Sequence, residues 1–144
     1  MATLSGECLC GGLRYQYSGR LGAVVHCHCS RCRRWHGSAF RTRVVARREA
    51  FRWLAGEALL ARYESTPRTT KTFCRTCGSS LVTFYTDRPD LIGLPLGGVV
   101  GDLGPRAAFH IFVGSKAPWY EIRDGLPQYD ELPPDRELIH EILE

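Results

Sequence analysis

No apolar run in this 144-residue chain approaches the ~20 residues that a membrane-spanning helix needs, so a helical membrane protein is excluded. The first residues, Met1-Ala2-Thr3-Leu4-Ser5-Gly6-Glu7, carry neither a basic stretch nor an apolar one, so a secretory leader is not expected. The expectation is a reducing, cytoplasmic setting, where disulfides rarely persist. Helical periodicity is scarce, and no internal repeat, low-complexity tract or linker divides the chain. Isolated cysteines are also missing: every one of the seven has another within three positions.

That clustering is the strongest signal present. Seven is odd, so a disulfide framework would strand one thiol, and tight groups in a reducing compartment point to metal. The groups are Cys8-x-Cys10, Cys27-x-Cys29-x-x-Cys32 and Cys74-x-x-Cys77. In an extended strand, residues i and i+2 face the same way, so Cys8 and Cys10 can present both sulfurs to one ion. Cys74-Arg75-Thr76-Cys77-Gly78 reads as a knuckle, two cysteines around a turn with glycine free to adopt positive φ. Together these four thiols have the composition of a closed structural zinc site, worth ~10–16 kcal/mol of apparent binding energy to folding.

Cys27, Cys29 and Cys32 remain. Three protein ligands with one open position is the arrangement of catalytic zinc. Either His26 or His28 supplies a fourth ligand and closes the site, or, in an extended chain, both point away and it stays open. The open form is the preferred reading. Cys32 is expected in the first turn of a short helix, where backbone N–H groups stabilise a thiolate.

Most of the chain reads as short strands. Leu13, Tyr15 and Tyr17 alternate with Arg14 and Gln16. Phe40, Thr42, Val44 and Ala46 alternate with Arg41, Arg43, Val45 and Arg47, which predicts one apolar face and one solvated, largely basic face. Phe51 to Leu54, Leu59 to Tyr63, Leu81 to Thr86 and Ala108 to Val113 are further strand candidates, whereas glycines and prolines between 93 and 105 indicate turns. Ser30 to His36 can form a short helix closed by Gly37. Pro134 with Leu138, Ile139, Ile142 and Leu143 predicts a C-terminal packing helix. Trp35, Trp53 and Trp119 could wall a pocket, but the core is the preferred assignment for each. The expected architecture is a mainly β single domain over 1–130, with 131–144 as a helix packed on it.

The net charge of +4 hides an asymmetry: residues 1–118 carry 17 basic and 7 acidic side chains, residues 119–144 carry 2 and 8. Seven thiolates and two Zn²⁺ ions would lower the formal charge from +4 to +1, so the basic composition is weak evidence for a nucleic-acid partner.

The motifs Gly6-Glu7-Cys8-Leu9-Cys10-Gly11-Gly12, His26-Cys27-His28-Cys29-Ser30-Arg31-Cys32-Arg33 and Phe73-Cys74-Arg75-Thr76-Cys77-Gly78-Ser79 resemble the glutathione-dependent formaldehyde-activating enzyme family, which includes centromere protein V. His110-Ile111-Phe112-Val113, Ser115-Lys116-Ala117-Pro118-Trp119 and Asp124-Gly125-Leu126-Pro127 resemble it too. The resemblance implies several coiled antiparallel β-sheets and two zinc sites, structural at Cys8, Cys10, Cys74 and Cys77 and catalytic at Cys27, Cys29 and Cys32. It also implies a carbon–sulfur lyase acting on S-(hydroxymethyl)glutathione-type adducts of a small thiol and a small aldehyde. Lys71 stands where such proteins commonly have arginine.

A zinc ion with three thiolates carries net −1, and a substrate sulfur would make it −2, so cations are needed nearby. Arg31, Arg33 and Lys116 are the candidates for substrate binding. The rival reading is a binding module: eight arginines between residues 31 and 52, interleaved with Trp35, Phe40, Phe51 and Trp53, could form a protein or nucleic-acid surface.

Overall fold

The alternating segment through Tyr15 and Tyr17 is a strand with both tyrosines buried, and ten more strands accompany it in a computed structural model that describes residues 2–141. In chain order they are β1 (Ala2–Glu7), β2 (Arg14–Gly19), β3 (Leu21–Cys27), β4 (Arg41–Arg47), β5 (Phe51–Ala55) and β6 (Leu60–Thr66). Then follow β7 (Thr69–Cys74), β8 (Ser80–Tyr85), β9 (Leu91–Pro95), β10 (Val99–Val100) and β11 (Ala107–Ile111). The α-helix α1 (Ser30–His36) ends where Gly37 takes a left-handed φ of 59°, as its sequence predicts.

Two sheets result, a four-stranded one in the order β10-β1-β2-β5 and a seven-stranded one in the order β11-β3-β4-β9-β8-β7-β6. All pairs are antiparallel except β11 with β3, which is parallel and departs from the expected all-antiparallel arrangement. The main core lies between the sheets and includes Leu13, Tyr15, Tyr17, Val44, Ile92 and Leu94. A second, smaller core covers the other face of the larger sheet, where Val25, Phe109, Ile111 and Ile139 meet.

Coverage on both faces overturns one expectation. The basic side of β4 is not solvated: Arg41 and Arg43 are only 6% and 5% exposed. Alternation predicts exposure only when one face of a sheet meets water, and this strand is central. Residues 93–105 also hold more structure than turns, because Gly93 of β9 pairs with Val45 of β4 and Val99 of β10 pairs with Gly6 of β1. The strand expected to reach Val113 stops at Ile111, because Phe112 has a left-handed φ of 55°. Trp119 is exposed rather than core.

The C-terminal segment differs from the expected helix. It makes one 3-10 turn, Arg136–Ile139, whose Asp135 side chain accepts from the Glu137 N–H at 3.0 Å. Its carbonyls serve the sheet instead of a further helical turn. Ile139 O accepts from Arg43 Nη1 at 3.3 Å, and Glu141 O lies where a Cβ on Gly22 would come within 2.4 Å. Ile139 is buried and Leu138 exposed; Ile142 and Leu143 lie outside the described residues.

Candidate metal centres

Cys8, Cys10, Cys74 and Cys77 converge, with all four sulfurs within 4.8 Å of one another. Cys8 and Cys10 Sγ are 3.5 Å apart, and Cys10 and Cys74 Sγ 3.9 Å. The pair at 8 and 10 does not sit in a strand as expected. β1 ends at Glu7, and a turn closed by Gly11 N–H on Cys8 O at 3.0 Å swings Cys10 round. The knuckle forms between β7 and β8: Gly78, at φ 77°, donates to Cys74 O at 2.7 Å. Ser79 Oγ accepts from Leu9 N–H at 2.8 Å and lies 3.2 Å from Cys77 Sγ, so one hydroxyl bridges both halves. That hydroxyl and the Ser79 N–H bring the Cys77 pKa down to about 5, which favours the thiolate a metal needs. Because Cys8 follows a strand of one sheet and Cys74 ends a strand of the other, this centre clamps the sheets together.

The second cluster is Cys27 at the end of β3, Cys29 at the N-cap of α1, and Cys32 on its first turn, again with sulfurs within 4.8 Å. The helix start serves Cys29, not Cys32: Cys32 N–H donates to Cys29 Sγ at 3.3 Å. Hydrogen bonds from the Cys27 and Cys32 thiols, with that N–H, hold the Cys29 pKa far below the usual thiol range. The Cys27 pKa is pushed up by the same sharing with Cys29 and Cys32 and by burial.

The cations behind the cluster are ones the sequence placed on the surface. Arg41 lies in register with Cys27 across the β3–β4 pair, and its Nη2 donates to Thr83 Oγ1 at 3.0 Å. Burial opposes its charge, but Tyr85, Cys32 and Cys27 outweigh it, and the Arg41 pKa is raised. Gly93 makes room: a Cβ there would lie 2.5 Å from Tyr85 Oη and 2.8 Å from Arg41 Nη2. Buried Lys71 stands nearby, its pKa lowered by desolvation and by Arg41. Among the described residues no carboxylate pairs with Arg41, Arg43 or Lys71; the acidic groups that face Arg41 are the cysteine cluster and the Tyr85 hydroxyl, whose pKa, against its burial, the two arginines lower. The available signal was arginine on a strand flanked by the largely apolar segments Leu21–Cys27 and Leu91–Pro95.

The substrate-binding candidates lie elsewhere. Arg33 Nε donates to Ser115 O at 3.1 Å, and Lys116 Nζ donates to Ala117 O at 3.1 Å and also to Tyr120 O. Arg31 borders a cavity of about 260 Å³ with Arg34, Trp35, Tyr63 and Lys71. The eight arginines do not form one surface, because Arg41 and Arg43 are inside.

Neither histidine joins the cysteine cluster. His28 is fully buried, with Nε2 2.8 Å from His110 Nδ1, and burial and His110 lower its pKa to about 4. His26 Nδ1 is 2.7 Å from Thr42 Oγ1. Among the described residues, the cysteine trio has no fourth histidine, cysteine or carboxylate ligand.

A cavity of about 810 Å³ opens between α1, the start of β4 and the four-cysteine centre; Arg41 reaches its wall, and Cys27, Cys29 and Cys32 do not line it. Its walls include Trp35 and His36 of α1, Phe40 and Arg41 of the following segment, and Cys8 and Ser79 from the four-cysteine centre. The volume is within the ~300–1,000 Å³ of small-molecule sites.

The profile of the glutathione-dependent formaldehyde-activating enzyme family matches residues 3–115. The chain belongs to this family. Among solved structures, the formaldehyde-activating-type chain is similar to a Rhodobacter sphaeroides protein, a structural-genomics target, with 22% identity and a TM-score of 0.56. The match covers 87% of this chain and 98% of that one, and at this identity it speaks for the fold alone. No curated protein matches. No helix among the described residues of this family member is long and apolar enough to cross a membrane.

Proposed function

We propose that the chain holds two zinc ions, one at each cysteine cluster, and acts as a carbon–sulfur lyase on adducts of glutathione, or a similar thiol, with a small aldehyde. The observation that carries this is a three-thiol cluster without a fourth ligand among the described residues, backed by buried Arg41, which also lines a cavity of about 810 Å³. Both donor sets fit zinc: all-thiolate, with compact sulfur groupings. Zinc at the cysteine trio would supply an open position that holds a substrate sulfur as thiolate or polarises an aldehyde oxygen.

In the synthetic direction, the thiol gives up its proton and its sulfur bonds to the carbonyl carbon. The C=O π pair moves to oxygen, which takes a proton, giving the S-hydroxymethyl adduct; cleavage is the reverse. Arg41 and Lys71 offset the charge of the thiolates from behind, and Arg31, Arg33 and Lys116 are proposed to draw in the substrate's carboxylates from outside.

Metal analysis of fresh protein is expected to give two zinc ions per chain, and a chelator should take the three-cysteine ion first, because fewer protein ligands hold it. One tight ion and three freely titrating thiols would contradict the partition.

The function is tested with cobalt-substituted protein. Glutathione should change the sulfur-to-cobalt absorption, with no change in Cys29→Ser. Arg31→Ala or Arg33→Ala should weaken binding, more so at low salt, because exposed charges are screened. An unchanged spectrum at high glutathione would sink the lyase reading.

A further inference from the structure

β3 and β11 run parallel with His110 in register beside His26, and their rings stand 4.8 Å apart between centroids. Asp124 comes from the following loop, its carboxylate oxygens 2.8 and 3.1 Å from His110 Nε2. One ligand atom from each of His26, His110 and Asp124 falls within 4.8 Å of the others.

We infer that His26, His110 and Asp124 form a third metal centre, which takes a divalent first-row transition ion on two imidazoles and one carboxylate. This stands on its own residues and does not depend on the lyase reading. Successive side chains of a strand point to opposite faces, so His26 presents away from Cys27, its neighbour in the thiol cluster.

The surroundings are those of a ligand set. Metal-bound histidines engage their second ring nitrogen in a hydrogen bond that fixes the ring and tautomer. Here His26 Nδ1 is held by Thr42 Oγ1 at 2.7 Å and His110 Nδ1 by His28 Nε2 at 2.8 Å, so it is the Nε2 atoms that would face an ion; His110 Nε2 now meets the Asp124 carboxylate, and an ion would take the place of the proton they share. The carboxylate is steadied too: Leu126 N–H donates to Asp124 Oδ1 at 3.1 Å. An ion has a way in. The Asp124 side chain is 43% exposed at a cavity of about 650 Å³, and His26 borders another of about 510 Å³. Two neutral imidazoles and a carboxylate on one side of an ion leave positions for water, and this donor set suits Fe²⁺, Co²⁺ or Zn²⁺ over the hard cations.

The test titrates Co²⁺ into protein whose cysteine centres have first been filled with zinc. A single equivalent should bind, with visible d–d bands and no sulfur-to-cobalt charge transfer. Asp124→Ala should lose this binding while melting as the parent does, because the carboxylate is half in solvent. Thr42→Val should weaken it by about 10–100-fold, the usual cost of an outer-shell partner. Co²⁺ that binds only with a sulfur band has merely replaced zinc, and that result overturns the inference. So does an absence of binding, or equal binding by Asp124→Ala.

Discussion

Cys77→Ser is expected to leave the protein unfolded or aggregated, whereas Cys29→Ser should stay folded. The difference follows from where the two centres sit. The Cys8, Cys10, Cys74 and Cys77 sulfurs join a turn after β1 in the smaller sheet to the knuckle between β7 and β8 in the larger one. A bound structural zinc contributes ~10–16 kcal/mol of apparent energy, as much as the ~5–15 kcal/mol by which whole domains are stable. Removing one of four ligands therefore removes an amount comparable with the entire margin. Cys29, by contrast, caps a seven-residue helix, and serine is itself a good N-cap. Circular dichroism melts of the two variants beside the parent decide it. Equal loss in both would erase the distinction between the centres.

Arg41→Met should strip metal from the Cys27, Cys29 and Cys32 cluster without emptying the four-cysteine centre. The guanidinium is buried, lies in register with Cys27, and has no carboxylate partner among the described residues. Deleting one side of a buried charge pair costs about 3–5 kcal/mol, because the other charge is left uncompensated. If that cost falls on the zinc-bound state, affinity at the trio drops by about 100–4,000-fold. Arg41→Lys keeps the charge but loses the fork that reaches Thr83, so it should lie between. Arg31→Met, at an exposed position, should leave retention unchanged. Competition with a chromophoric chelator measures all three. Parent-like retention in Arg41→Met would show that the buried cations do not serve this centre.

The three cysteine groups were legible in the sequence because each depends on short-range geometry, whereas the join of the first group to the third spans 64 residues. Cys74 and Cys77 flank one turn, and Cys29 and Cys32 are one helical turn apart, so spacing alone brings their sulfurs together. The same locality made α1 and the strands around Tyr15, Phe51 and Leu81 readable, since alternation and a closing glycine are properties of neighbouring residues. Even there, local reading mistook a turn at Cys8 and Cys10 for a strand, because both geometries bring residues i and i+2 to one ion.

Only the tertiary structure decided what surrounds those sulfurs. β4 looked one-sided from its alternation. It is buried on both faces because the smaller sheet covers one and the C-terminal segment, anchored by Ile139, covers the other. That coverage turned Arg41 from a solvated charge into a buried one that faces Tyr85 and the thiol trio. His26, His110 and Asp124 lie 84 and 14 residues apart along the chain and meet through a parallel strand pair followed by a loop return. No periodicity encodes such a meeting. It depends on which strand edges pair and on what the pairing leaves buried, and both are set by the whole chain's packing.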